Sequence, residues 1–247
     1  MNALFYNHQI LELFLSYDKS CFLERAPMFY DELNNCDVLF VGINPSFIDL
    51  RKSYQFIQSN CLNDARVNYL QQMKELEYNN LYFKLEDVSK NIQILGDIHA
   101  VFKNNYSYFK KFKLIQKQIN VSVEHLNLFP IRETSQNKVS KIIEQNTEFR
   151  SACLKIFIST VKKMNPKAIV IENTLARDIL IKQNDLALNE YFPSYNFEHF
   201  KNNGIGTPVN KFGVAVYYTS MLTGQRAIDL GSFNRLLWSL NKFIHQN

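Results

Sequence analysis

Apolar positions along this chain follow two periods. Residues 3–17 carry Leu4, Ile10, Leu11, Phe14 and Leu15 at helical spacing, which predicts an amphipathic helix. The unbroken apolar run Val38–Val41, opened by Asp37 and closed by Gly42, reads instead as a strand over 37–42. Two runs of the same character follow: 122–129, stopped by Pro130, and 167–172 (KAIVIE), which comes after a helix over 151–163 ended by Asn165-Pro166. A helix over 174–182 and an irregular stretch over 183–212 lead to a fourth strand, 213–219. The last helix begins near Ser232, a residue type suited to the N-cap, and Phe233, Leu236, Leu237, Leu240 and Phe243 supply its buried stripe. Between the first two strands, 60–118 is largely helical in pattern, with aromatic residues interleaved.

Strands that are apolar along their whole length, separated by helices, are strands covered on both faces. The pattern therefore predicts an α/β protein: a three-layer α/β/α sandwich around a mostly parallel four-stranded sheet. No repeat, low-complexity tract or Pro/Gly/Ser linker interrupts it, so a single domain over 1–247 is expected. Residues 1–35 read as an N-terminal helical extension, and 50–120 as a helical insertion or lid.

Composition narrows the picture. At 247 residues and 46% hydrophobic, the chain can bury a core without disulfides. Its four cysteines (Cys21, Cys36, Cys61, Cys153) are far apart and form no Cys-x-x-Cys pair, so neither a zinc site nor an iron–sulfur cluster is expected, and reduced thiols are. The absence of a transmembrane-length apolar stretch and of a basic-then-apolar start leads us to expect a cytoplasmic protein with no membrane partner. The net charge of +5 suits a polyanionic partner without establishing one. The basic run KKFK at 110–113 reads equally well as a solvated helix face.

Candidate chemistry sits at the ends of three strands. The first empties into Gly42-Ile43-Asn44-Pro45-Ser46. Gly42 permits a sharp turn and a close backbone approach, and Pro45 biases Asn44 toward an extended conformation. One neutral amide is thus presented stiffly, although an ordinary strand-exit turn uses the same residue types. The second strand gives His125-Leu126-Asn127-Leu128-Phe129-Pro130, followed by Arg132 and Glu133, which can pair with each other. His125 reads as a core histidine. Asn127 offers both a donor and an acceptor, for a ligand edge or for tying two loops together. The fourth strand ends in Thr219-Ser220-Met221-Leu222-Thr223-Gly224-Gln225-Arg226. In a parallel sheet these carboxyl ends share one edge, where open α/β folds bind ligands, so the segments are expected to converge on one cleft. No GxGxxG or Walker-type loop offers a pyrophosphate cradle.

In this order, the three segments resemble the motifs of the uracil-DNA glycosylase superfamily. GINPS at 42–46 is similar to the first motif of the mismatch-specific and single-strand-selective monofunctional branches, where Asn stands in place of the Asp of other members. The resemblance implies that Asn44 positions the attacking water, with Gly42, Ile43, Pro45 and Ser46 shaping the base site. It implies that Asn127, in NLFPI, reads the base edge. It also implies an aromatic ring for the flipped base from Phe56 or Phe47, and such stacking is worth roughly 1–3 kcal/mol per base. The stretch Thr219–Arg226 resembles the minor-groove loop: Leu222 or Arg226 fills the gap in the duplex, and Thr223, Gly224 and Gln225 approach the DNA. Thr219 and Ser220 take the catalytic positions at its start, where, with Met221, they replace the superfamily's His-Pro-Ser.

The function implied is that of a metal- and cofactor-independent DNA glycosylase acting on uracil or a related damaged or modified base, with DNA as partner and a monomer as the working form. It is monofunctional because no motif places a lysine to form a Schiff base. Such an enzyme extrudes the nucleotide, holds the base and delivers water to the sugar carbon. Fixed donors stabilise the charge on the departing base. The missing His, and Ser46 where Gly is more usual, leave open a catalytically weak or inactive relative that binds nucleic acid or senses modified bases. Residues 50–120 match nothing in the superfamily pattern.

Overall fold

The computed structural model describes residues 3–17, 27–45, 92, 96, 99–182, 191–192, 209–210, 212–222 and 227–246. The chain forms two compact units: one from 1–33, 44–107 and 129–157, the other from 34–43, 108–128 and 158–247.

The second unit holds the sheet. Strands β1 (Val38–Gly42), β2 (Val123–Asn127), β3 (Ala168–Ile171) and β4 (Ala215–Tyr218) lie in the order β2-β1-β3-β4, and every pairing is parallel. The chain winds from β1 to β2 in one direction, and from β2 through β3 to β4 in the other. Right-handed crossovers therefore put α2 (Lys110–Ile119) on one face, and the β2-to-β3 and β3-to-β4 connections, with residues 158–164 at the end of α4 (Thr147–Met164) and α5 (Thr174–Ile181), on the other. The result is an α/β/α sandwich of three layers. Val38, Phe40, Val123, Ala168, Val170 and Ala215 pack with Phe112 and Ile115 of α2 and with Phe233, Leu236, Leu237 and Leu240 of α6 (Leu230–Gln246). Leu39, Val41, Ile169, Ile171 and Val216, the alternate positions, are just as fully buried.

Local chemistry sets the helix ends. Asn120 ends α2 in the left-handed conformation at φ 49°, and Asn165, at φ 47°, follows α4 just before Pro166. Asn173 caps α5 by accepting the N–H of Ala176 at 3.1 Å. The final helix starts earlier than its sequence pattern suggests. Asp229, not Ser232, is the cap: its carboxylate accepts both the Ser232 N–H, at 2.9 Å, and the Ser232 hydroxyl, at 2.6 Å. Hydrogen bonding holds the Asp229 carboxyl below its ordinary range, the Ser232 hydroxyl contributing most.

In the first unit, Phe14 of α1 (Ala3–Ser16) meets the Phe149 ring edge-on, and Asn7 ties to the Tyr30 backbone through both its amide nitrogen (2.6 Å) and its oxygen (2.9 Å). Helix α3 (Gln136–Gln145), capped by Ser135, also belongs here. Among the described residues no helix is long and apolar enough to cross a membrane.

Candidate functional site

Within the sheet unit, the ends of β1 and β2 stand side by side, with Gly42 opposite Asn127. The ladder continues one step further, the Leu128 N–H donating to the Gly42 carbonyl at 3.0 Å. Gly42 is the last residue of a strand, and it is not among the residues with positive φ. Its lack of a side chain therefore serves proximity, not a turn. A Cβ there would lie 2.7 Å from Asn127 Oδ1 and 3.2 Å from His125 Nε2, so the glycine is what admits both side chains to this face. Ile43 and Asn127 are buried.

Asn44 and Pro45 belong to the other unit, where their setting is equally specific. The Asn44 amide nitrogen faces three carbonyl oxygens: Glu133 at 2.6 Å, Pro45 at 2.9 Å and Ile131 at 3.1 Å. The Glu133 N–H returns a bond to the Pro45 carbonyl at 3.2 Å. Three acceptors around one NH2 group decide which end of the amide is nitrogen. Asn44 Oδ1 then points away from them, and among the described residues it accepts no hydrogen bond. The Glu133 carboxylate accepts the Ser135 N–H at 3.0 Å and lies 3.5 Å from Lys138 Nζ, which makes it a support of the α3 start.

No family model, curated protein or solved structure matches this chain.

The fourth-strand segment lies further along the same edge. Thr219 is half-buried and Ser220 exposed, and the Thr219 N–H bonds to the carbonyl of Ile171, extending the β3–β4 ladder. Because β3 intervenes, these residues stand two strand spacings, roughly 10 Å, from β1. Leu222 is wholly buried in the core beneath α6, so it does not serve as a wedge into a duplex: a side chain committed to that packing is not available to DNA. Ser46, Phe47, Phe56, Thr223, Gly224, Gln225 and Arg226 lie outside the described residues.

A polar cluster not anticipated from sequence occupies the same edge of the sheet unit. Glu172 directly follows β3, its N–H bonded to the Val41 carbonyl at 3.1 Å. Its Oε1 accepts a hydrogen bond from the Tyr108 hydroxyl and lies 3.2 Å from His125 Nε2. The Tyr108 hydroxyl is also 3.4 Å from that nitrogen, and the rings of Phe109 and Phe112 stand edge-on to the imidazole. Glu172 is 2% exposed and His125 8%. Among the described residues, Glu172 Oε2 and His125 Nδ1 have no partner. The expectation of a satisfied core histidine thus holds for one ring nitrogen and fails for the other. Only an acidic residue at the end of an apolar strand hinted at this cluster. Elsewhere, Cys153 is no candidate nucleophile, since burial pushes its thiol far above the ordinary range.

Proposed function

We propose that this chain is a monofunctional DNA glycosylase that hydrolyses the N-glycosidic bond of uracil, or of a related damaged or modified base, flipped out of DNA. The observation that carries the reading is the fixing of Asn44. With its nitrogen held by three carbonyls, its oxygen is an oriented acceptor, which is what a water-positioning amide needs. The ordered motifs GINPS, NLFPI and Thr219–Arg226 supply the family context.

In this reading a water donates to Asn44 Oδ1 and attacks the sugar carbon as the base departs with the electron pair of the broken C–N bond, and the proton that the water gives up ends on the departed base. A neutral amide orients that water without taking its proton, so catalysis leans on stabilisation of the departing base. Asn127 reads the base edge, its amide nitrogen being the donor suited to a base oxygen that gains charge. Product release leaves an abasic site with both strands intact.

The test is incubation with single- and double-stranded oligonucleotides carrying one deoxyuridine, hypoxanthine, xanthine or modified pyrimidine. We expect breaks that appear only after alkali. Asn44→Ala should keep its circular dichroism spectrum and its DNA binding while losing cleavage by on the order of a hundredfold. Failure to release any base in either strand context overturns the enzyme. DNA binding without release supports instead a base-sensing relative, the reading that the absent His at 219–221 favours.

A further inference from the structure

We propose that Glu172 is a ligand-reading carboxylate: its Oε1 is engaged by the Tyr108 hydroxyl beside His125, and its Oε2 accepts a hydrogen bond from an N–H group of the bound base. The choice of a nucleobase as ligand rests on the glycosylase reading, whereas the demand for an N–H donor comes from the cluster itself.

Four observations carry the inference. First, Glu172 Oε1 accepts a hydrogen bond from the Tyr108 hydroxyl and lies 3.2 Å from His125 Nε2, so this oxygen already has its neighbours. Second, Oε2 of this 98%-buried residue has no partner among the described residues, and a buried acceptor left unpaired is costly. Third, the strand order β2-β1-β3-β4 reverses winding direction between β1 and β3. The crevice beyond the carboxyl ends of such a strand pair is where doubly wound sheets take ligands, and Glu172 is the first residue past β3, tied to β1 through Val41. Fourth, the cluster and Asn127 share a sheet face, because the missing Cβ of Gly42 leaves room for both His125 Nε2 and Asn127 Oδ1.

A carboxylate oxygen accepts and does not donate. Facing a base, it attracts a ring N–H or an exocyclic amino group and repels a carbonyl or a methylated nitrogen. The ligand class is therefore a nucleobase whose edge presents an N–H beside the group that Asn127 reads. Cytosine-type amino groups and uracil-type imino groups both qualify, and their alkylated counterparts do not. Such pairing of a carboxylate with a base amino group is a general mode of base recognition.

The experiment measures binding of free cytosine, N4,N4-dimethylcytosine, uracil and 3-methyluracil to the full chain by saturation-transfer NMR, with wild type, Glu172→Gln and Tyr108→Phe. We expect at least one parent base to bind, and its alkylated partner to bind tenfold or more weakly. Glu172→Gln should lose a similar factor, because one orientation of the new amide turns the acceptor into a donor. Tyr108→Phe, which frees one side of Oε1, should lose a few-fold. Parent and alkylated bases binding alike, or none binding, overturns the inference with no variant needed, and points to an internal water on Oε2. Uracil cleavage by Glu172→Gln at the wild-type rate and with the wild-type base preference also overturns it, yet leaves the glycosylase intact. Base binding that depends on Glu172, in a protein that cleaves no lesion, does the reverse.

Discussion

At the scale of single residues, the surroundings of Asn44 require an amide and exclude a carboxylate. An aspartate at this position would turn an oxygen toward the carbonyls of Pro45, Ile131 and Glu133, with no hydrogen to give any of them. Removing the donor leaves acceptors facing acceptors, at a cost of about 1–3 kcal/mol. Asn44→Asp should therefore lower stability by that amount in urea unfolding, and should not raise cleavage. A variant as stable as wild type would mean that the three contacts contribute nothing. Gly42 teaches a related lesson. The glycine is plain in the sequence, but its reason is not, because the crowding comes from Asn127 and His125, more than eighty residues away along the chain. Leu222 was legible as apolar, and motif spacing carried no information about whether it faced water or core.

At the scale of elements, the strands were legible because burial on both faces leaves a continuous apolar run, as in Val38–Val41 and Ala168–Ile171. The stripe of the last helix was legible for the same reason, since Phe233, Leu236, Leu237 and Leu240 pack where the 3.6-residue period puts them. Helix α3 was not, since its sequence QNKVSKIIEQ buries only Val139 and Ile143. Its cap, Ser135, stands in a polar stretch full of equally good caps. The same ambiguity moved the start of α6 from Ser232 to Asp229, two residue types that cap equally well. Glu172 escaped notice because its partners, Tyr108 and His125, come from other elements. The cap of α5 gives a direct check. Asn173 is buried and accepts the Ala176 N–H, so Asn173→Ala should cost about 1 kcal/mol in chemical denaturation, while Asn173→Ser should retain most of it. Equal loss in both variants would mean that Asn173 acts through packing, not capping.

Within the sheet unit as a whole, the charged tie and the proposed site stand at opposite ends of the strands. At the amino ends, the Asp37 carboxylate accepts the Ser122 N–H (2.9 Å) and hydroxyl (2.8 Å) and pairs with Lys167 Nζ (2.8 Å), tying the approaches to β1, β2 and β3 together. At the carboxyl ends stand Gly42, Asn127 and Glu172. Burial opposes ionisation of Asp37, but the hydrogen bonds from Lys167 and Ser122 together outweigh it and hold the carboxyl below its ordinary range. A depressed carboxyl pKa contributes stability that is complete above the unfolded-state value, about 3.9, and is lost as pH falls through the folded-state value below it. Because Lys167 is largely exposed, its ion pair contributes at most about 1 kcal/mol. Asp37→Asn should accordingly be less stable than wild type at neutral pH, and the gap should close below about pH 4. Urea unfolding from pH 7 down to pH 2 measures it, and a gap that stays constant across that range removes Asp37 as the titrating tie. The base release proposed above should remain at the wild-type rate in Asp37→Asn at neutral pH, because the substitution lies a full strand length, roughly 15 Å, from the carboxyl edge. Loss of activity with the fold intact would show that the two ends of the sheet are not independent.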